Sequence, residues 1–106
     1  MNGKAYLLVR AVVTNPADRQ PFDHWYSTDH MPAALARFGA AEGWRFWSHT
    51  DPAIHYALYE FQSIAELQCV MDSEKTKSLI ADFDRVWGLR VERTRELIEQ
   101  VDRLLP

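Results

Sequence analysis

Residues 4–13 constrain this chain most, because they alternate like a strand and yet are apolar on both faces. Tyr6, Leu8, Arg10 and Val12 project one way; Leu7, Val9, Ala11 and Val13 project the other. Such a strand belongs inside a sheet that is covered on both sides. Arg10 is the exception in the run. A cation there needs a partner, and Glu60, Glu92 and Glu96 are the carboxylates expected on neighbouring strands, with a ligand carboxylate as the alternative.

The remaining segments supply the sheet and one layer of helices. Asn15-Pro16-Ala17-Asp18 is turn chemistry, and a helix follows that ends at Gly39. Residues 43–49 read as a strand with Trp44, Phe46 and Ser48 on one face and Arg45, Trp47 and His49 on the other. The short link Thr50-Asp51-Pro52-Ala53 makes residues 54–61 its antiparallel hairpin partner, with His49 and His55 near enough to meet. Ser63-Ile64-Ala65-Glu66 is a capping box that opens a second helix. Asp72-Ser73 interrupts it, and Leu79, Ile80, Phe83 and Trp87 carry the inward stripe on to Gly88. In the tail, residues 91–95 favour strand, whereas Leu97, Ile98, Val101, Leu104 and Leu105 have helical spacing.

The order β-α-β-β-α-β is the split βαβ arrangement of a ferredoxin-like sandwich, and it makes the tail a fourth strand over about residues 90–99. The expectation is an α+β chain, one domain over residues 1–106, with a four-stranded antiparallel sheet. Helices cover one face of that sheet. The apolar second face of the first strand then calls for a second copy of the chain, hence a homodimer.

The chemistry concentrates in Phe22-Asp23-His24-Trp25-Tyr26-Ser27-Thr28-Asp29-His30-Met31-Pro32. At about 100° per residue, Phe22, Trp25, Tyr26, Asp29 and Ala33 share the inward face. Asp29 is then expected inside, His30 at the margin one turn from Tyr26, and His24 facing away. Pro32 kinks or restarts the helix near Met31, with Asp29 or Thr28 available as the cap. An imidazole at an apolar boundary can shuttle protons, with Asp29 or Tyr26 orienting it, so His30, Tyr26 and Asp29 are the catalytic candidates. Trp25, Arg10, Trp47 and His49 are the expected ligand contacts. The same residue types also build structural hydrogen-bond networks.

Composition narrows the classes. The chain is 47% hydrophobic and 25% charged with a formal net charge of −3, which is a globular balance without the basic surface nucleic acid requires. Residues 5–13 are too few to span a membrane, and the amino terminus lacks the layout of a signal peptide. One cysteine, Cys69, excludes an internal disulfide and fits the cytoplasm. Metal binding is not expected: His24 and His30 lie roughly 120° apart around a helix and cannot grip one ion. The four glycines are isolated, so no phosphate-binding loop is present.

This order, with Trp25-Tyr26-x-x-x-His30-x-Pro32 on the first helix, resembles the EthD-like group of dimeric α+β barrel proteins. The Asp29-His30 pair and the strand 54–61 running into Ser63 also look like that group. The resemblance implies homodimers whose sheets face each other, with a pocket between sheet and helices in each subunit. The wider superfamily includes isomerases, polyketide cyclases, haem-degrading monooxygenases and proteins with no known activity. The expected function is action on a small apolar oxygenated molecule, as a cofactor-independent isomerase, cyclase or dehydratase with His30 as proton shuttle. The alternative is a non-catalytic ligand-binding or stress-related homodimer, and a third reading is a haem-dependent monooxygenase-like protein.

Overall fold

The computed structural model describes residues 3–106. Strand β1 (Ala5–Val13) lies inside the sheet because both its edges are taken. Strand β3 (Ile54–Phe61) pairs antiparallel on one side and β4 (Val91–Glu99) antiparallel on the other, with β2 (Glu42–Trp47) beyond β3. Leu7 stands opposite Tyr59 and Leu97, and Trp47 stands opposite His55. The period-2 pattern settles the core: Ala5, Leu7, Val9, Ala11 and Val13 all face the helices and are buried.

Four helices form the single layer over this face: α1 (Pro16–Trp25), α2 (Met31–Phe38), α3 (Ile64–Met71) and α4 (Glu74–Val86). Their ends are chemically marked. The side chains of Asn15, Ser63 and Ser73 accept from the N–H groups of Ala17, Glu66 and Thr76. Gly39 closes α2 at φ 64°, a left-handed position that glycine takes without a Cβ clash. The result is the α+β ferredoxin-like arrangement, each helical segment of the β-α-β-β-α-β order being a pair of helices.

Between α1 and α2 the chain departs from the helical wheel. Residues Tyr26–His30 wind as one π turn, so the Met31 N–H bonds to the Tyr26 carbonyl five residues back. The cause is Pro32, which has no N–H and whose ring crowds the carbonyl four residues earlier. The wider turn advances the buried stripe by one residue. Phe22, Tyr26, His30, Met31, Ala34 and Phe38 are buried, while Asp29 is exposed. Asp29 therefore does not face the core, and His30 is inside the margin expected for it. Neither Asp29 nor Thr28 caps α2. The Thr28 hydroxyl lies 2.8 Å from the His24 carbonyl and 3.1 Å from Asp29 Oδ1, and its one proton serves one of them at a time.

Three further expectations change. Residues 100–106 carry no helix, because β4 runs on to Glu99 opposite Ala5 and turns the would-be helical leucines into strand and tail. Strand β2 stops at Trp47, since Ser48 and Asp51 fold into the hairpin turn, so His49 is exposed and does not meet His55. Arg10 is exposed on the open face of the sheet and has no ion pair among the described residues. Its register partners are Tyr56 and Thr94, and Glu60 is engaged by Lys4 Nζ at 3.2 Å and the Tyr6 hydroxyl at 3.4 Å. In the single chain, water solvates the cation there.

Candidate functional site

A cleft lies between the helical layer and the sheet, and its walls come from every part of the fold. The wide turn gives Tyr26 and His30, β1 gives Leu7 and Val9, and β3 gives Tyr59. Helix α2 adds Phe38, α4 adds Thr76, Leu79 and Ile80, and β4 adds Arg93 and Arg95. Counted out to its mouth the space is about 310 Å³. Of that space about 20 Å³ is open to the centre of a water molecule, so the walls hold about one water and anything larger extends into the mouth.

His30 is 7% exposed and held by rings. Trp25 stacks on it at 4.7 Å and 21°, and Tyr26 and Phe83 meet it edge-on at 4.8 and 5.5 Å. Burial pushes its pKa down to about 4, helped by the nearby Arg93 cation and opposed by Asp82. The imidazole is thus neutral at pH 7 and offers one N–H donor and one lone pair. Neither nitrogen bonds to a protein group among the described residues.

Beside it, the hydroxyls of Tyr26 and Tyr59 lie 3.2 Å apart. Burial raises both phenol pKa values, so both stay protonated. Two hydroxyls that share one hydrogen bond leave one proton free for another acceptor. The Arg93 guanidinium lies 3.7 Å over the Phe83 ring and reaches Asp84 at 3.4 Å. Burial, then the Arg95 charge, lowers its pKa to about 10, which leaves it cationic. Arg95 has no carboxylate partner among the described residues. On the outer side, His30 also walls a groove of about 440 Å³ lined by Trp25, Asp29, Asp82 and Arg85.

A second polar cluster sits under α1. The Arg45 guanidinium bonds to Asp23 and, through Nε, donates to His55 Nε2 at 3.2 Å. The Trp47 indole N–H donates to the same Asp23 oxygen at 2.8 Å. The Trp47 bond, seconded by Arg45, holds the Asp23 carboxyl below its usual range against the opposing effect of burial. His55 is 1% exposed and is pushed down to about 3, first by burial and then by Arg45.

Of the candidates read from the sequence, Tyr26 and His30 line the cleft. Trp25 stands behind His30, and Asp29 lies on the outer groove. Arg10 is on the opposite face of the sheet, Trp47 is tied to Asp23, and His49 is in the hairpin turn. Tyr59, Arg93, Arg95 and Thr76 join the cleft unannounced. The signal for the arginines was available: once the tail is read as a strand, Val91, Arg93, Arg95 and Leu97 share one face.

Among the described residues, no three of His, Cys, Asp and Glu gather where they could hold a metal ion. Haem does not fit the residues present, because Trp25 stacks on the imidazole and Tyr26 and Phe83 meet it edge-on, which leaves no room for a porphyrin beside either ring nitrogen. Among the described residues, no helix is long and apolar enough to cross a membrane.

No family model matches the chain, and no curated protein matches it in sequence. Solved structures match in shape. An EthD family protein from Bacillus halodurans is similar over 91% of this chain and 99% of its own, with TM-score 0.68 and 19% identity. A Bordetella bronchiseptica protein labelled an antibiotic biosynthesis monooxygenase is similar over 93% and 98%, with TM-score 0.70 and 11% identity. SnoaB, a cofactor-independent oxygenase from Streptomyces nogalater, is similar over 98% of both chains, with TM-score 0.67 and 10% identity. The EthD-like resemblance read from the first helix is matched in fold, and the chain shares the ferredoxin-like α+β architecture of an EthD family protein and of proteins labelled monooxygenases.

Proposed function

We propose that this chain acts on a small oxygenated molecule in the cleft, with His30 moving a proton and no cofactor taking part. The observation that carries the reading is a neutral, buried imidazole with no protein partner, set beside a hydroxyl pair with a proton to spare. The free ring nitrogen takes a proton from a carbon next to a carbonyl, and the Tyr26–Tyr59 pair donates to the oxygen as charge builds there. The imidazolium then returns the proton to the same or a neighbouring atom, which is the core of an isomerase, cyclase or dehydratase. Asp29 and His30 both line the outer groove, which opens the far side of the ring to water. The likeness in fold to a cofactor-independent oxygenase agrees with chemistry that needs no bound group.

The working unit is a homodimer closed over the open face of the sheet. Tyr6, Leu8, Trp44, Tyr56, Leu58 and the 49%-exposed Phe46 form an apolar surface there that one subunit leaves to water. Light scattering at micromolar concentration is expected to report about twice 12.3 kDa, and a clean monomer would remove this assembly. A single cysteine without a disulfide partner supports a cytoplasmic location.

Proton transfer is tested by incubating the protein with small ketones in D2O and following deuterium uptake at the carbon beside the carbonyl. Uptake by the wild type and its loss in His30→Gln is the expected result. Ligand binding without any uptake would favour the non-catalytic dimer instead.

A further inference from the structure

We infer that the molecule bound in this cleft is an organic acid, its carboxylate held jointly by Arg93 and Arg95. The inference rests on the cleft being the working site, but not on His30 doing chemistry there. Every other strand position that lines the cleft is apolar or aromatic: Leu7 and Val9 on β1 and Tyr59 on β3. Two cations in that lining break the pattern that builds the core. They are two residues apart on one strand, so they share its inner face with Cα atoms roughly 7 Å apart. Two long guanidinium side chains at that spacing can converge on one carboxylate, which they recognise through paired N–H donors.

Neither arginine is fully engaged within the fold. Arg95 has no carboxylate partner among the described residues, and Arg93 reaches Asp84 alone among them, at 3.4 Å and with the acid 63% exposed. Arg93 is nevertheless pinned over Phe83 with its side chain 10% exposed, so its charge sits at the cleft wall and not out in water. The neighbouring hydroxyls of Tyr26 and Tyr59 add a donor of the kind a carbonyl or enol oxygen would use. Beta4 is an edge strand, and inward charges also keep such edges from pairing with other chains. That role suits the exposed Arg95, and it leaves without an account why Arg93 is held over Phe83 at the cleft wall.

A bound acid would also change His30. The charges acting on its imidazole are Arg93 and Arg95 on β4 and Arg37 on α2, all disfavouring protonation, and Asp82 on α4, favouring it. A carboxylate that neutralises the two β4 cations would make the ring a stronger base once the ligand is in place.

The test titrates the protein with benzoate, phenylacetate and pyruvate, each against its own neutral amide, and reads backbone and imidazole signals by NMR. At least one acid is expected to bind at least tenfold more tightly than its amide. Arg95→Gln, at an exposed and unpaired position, should weaken that acid by tenfold or more, and the His30 titration should move to higher pH with the acid bound. Wild-type protein that binds the acid but takes up no deuterium from any ketone would retire the chemistry and leave this inference standing. Amides that bind as well as acids, or no acid that binds, would overturn it. So would Arg95→Gln that self-associates while binding the acid as before, since the arginines would then be guarding the sheet edge.

Discussion

Two imidazoles are buried under the same helical layer, His30 at 7% exposure and His55 at 1%, and burial keeps both neutral. His55 has spent its acceptor: Arg45 donates to it, Asp23 fixes Arg45, and Trp47 fixes Asp23. His30 is surrounded by rings and bonds to none of the described residues. Burial and a shifted pKa are common to both, so neither property separates a working histidine from a structural one. What separates them is whether the fold has already used the hydrogen-bonding capacity of the ring.

The comparison is broken most sharply by activity. His30→Gln is expected to remove on the order of 10²–10⁴-fold of the deuterium uptake. Its melting temperature should fall by only a few degrees, because no partner is stranded and the space stays filled. A variant that keeps its uptake but melts early would make His30 a second His55.

Acid sharpens the same comparison. Both pKa values are depressed on folding, so below the unfolded value of about 6.5 unfolding takes up a proton at each site. The stability that comes from keeping each ring neutral is whole above that pH. It is lost as pH falls toward about 4 for His30 and about 3 for His55. The loss at His30 alone is on the order of 3 kcal/mol, and denaturant midpoints measured from pH 7 to pH 4 should show it. His30→Gln should flatten the upper part of that fall, and a variant as acid-sensitive as the wild type would contradict the assignment.

His55→Ala is expected to cost about 3 kcal/mol, from the cavity and from the Arg45 donor it strands. The uptake per folded molecule should not change. Trp47→Phe keeps the ring but removes one donor to Asp23, so about 1 kcal/mol is expected, visible as a small shift in denaturant midpoint. A loss of activity in either variant, at full folding, would mean the two histidines form one site.

Local signals were readable in the sequence. The two-sided apolar strand, the hairpin around Asp51-Pro52, the Ser63 cap and the Gly39 stop each need only a few neighbouring residues, and each is present. The partnership of Asp23 with Arg45 and Trp47 was not readable, because it joins residues on different elements with no shared period. The arginine pair was readable only after the order of elements had made the tail a strand, since Leu97, Ile98, Val101, Leu104 and Leu105 also carry helical spacing. Asp29 was misplaced for a different reason: the wheel assumes a uniform turn, and Pro32 makes one turn non-uniform.

That turn has a consequence for how this site is inherited. Because it holds one residue more than its neighbours, the placement of the imidazole is written in the length of the chain as well as in its letters. Deleting solvent-facing Ser27 would restore a regular turn: the Met31 N–H would still reach the Tyr26 carbonyl, now four residues back, and α2 would keep its place. His30 would then follow Tyr26 by three residues instead of four and turn away from its present position in the cleft, although no side chain had been replaced. A lineage can thus gain or lose this histidine by a single insertion or deletion. Two related chains lined up without a gap at this turn would be compared one residue out of step from here to Gly39.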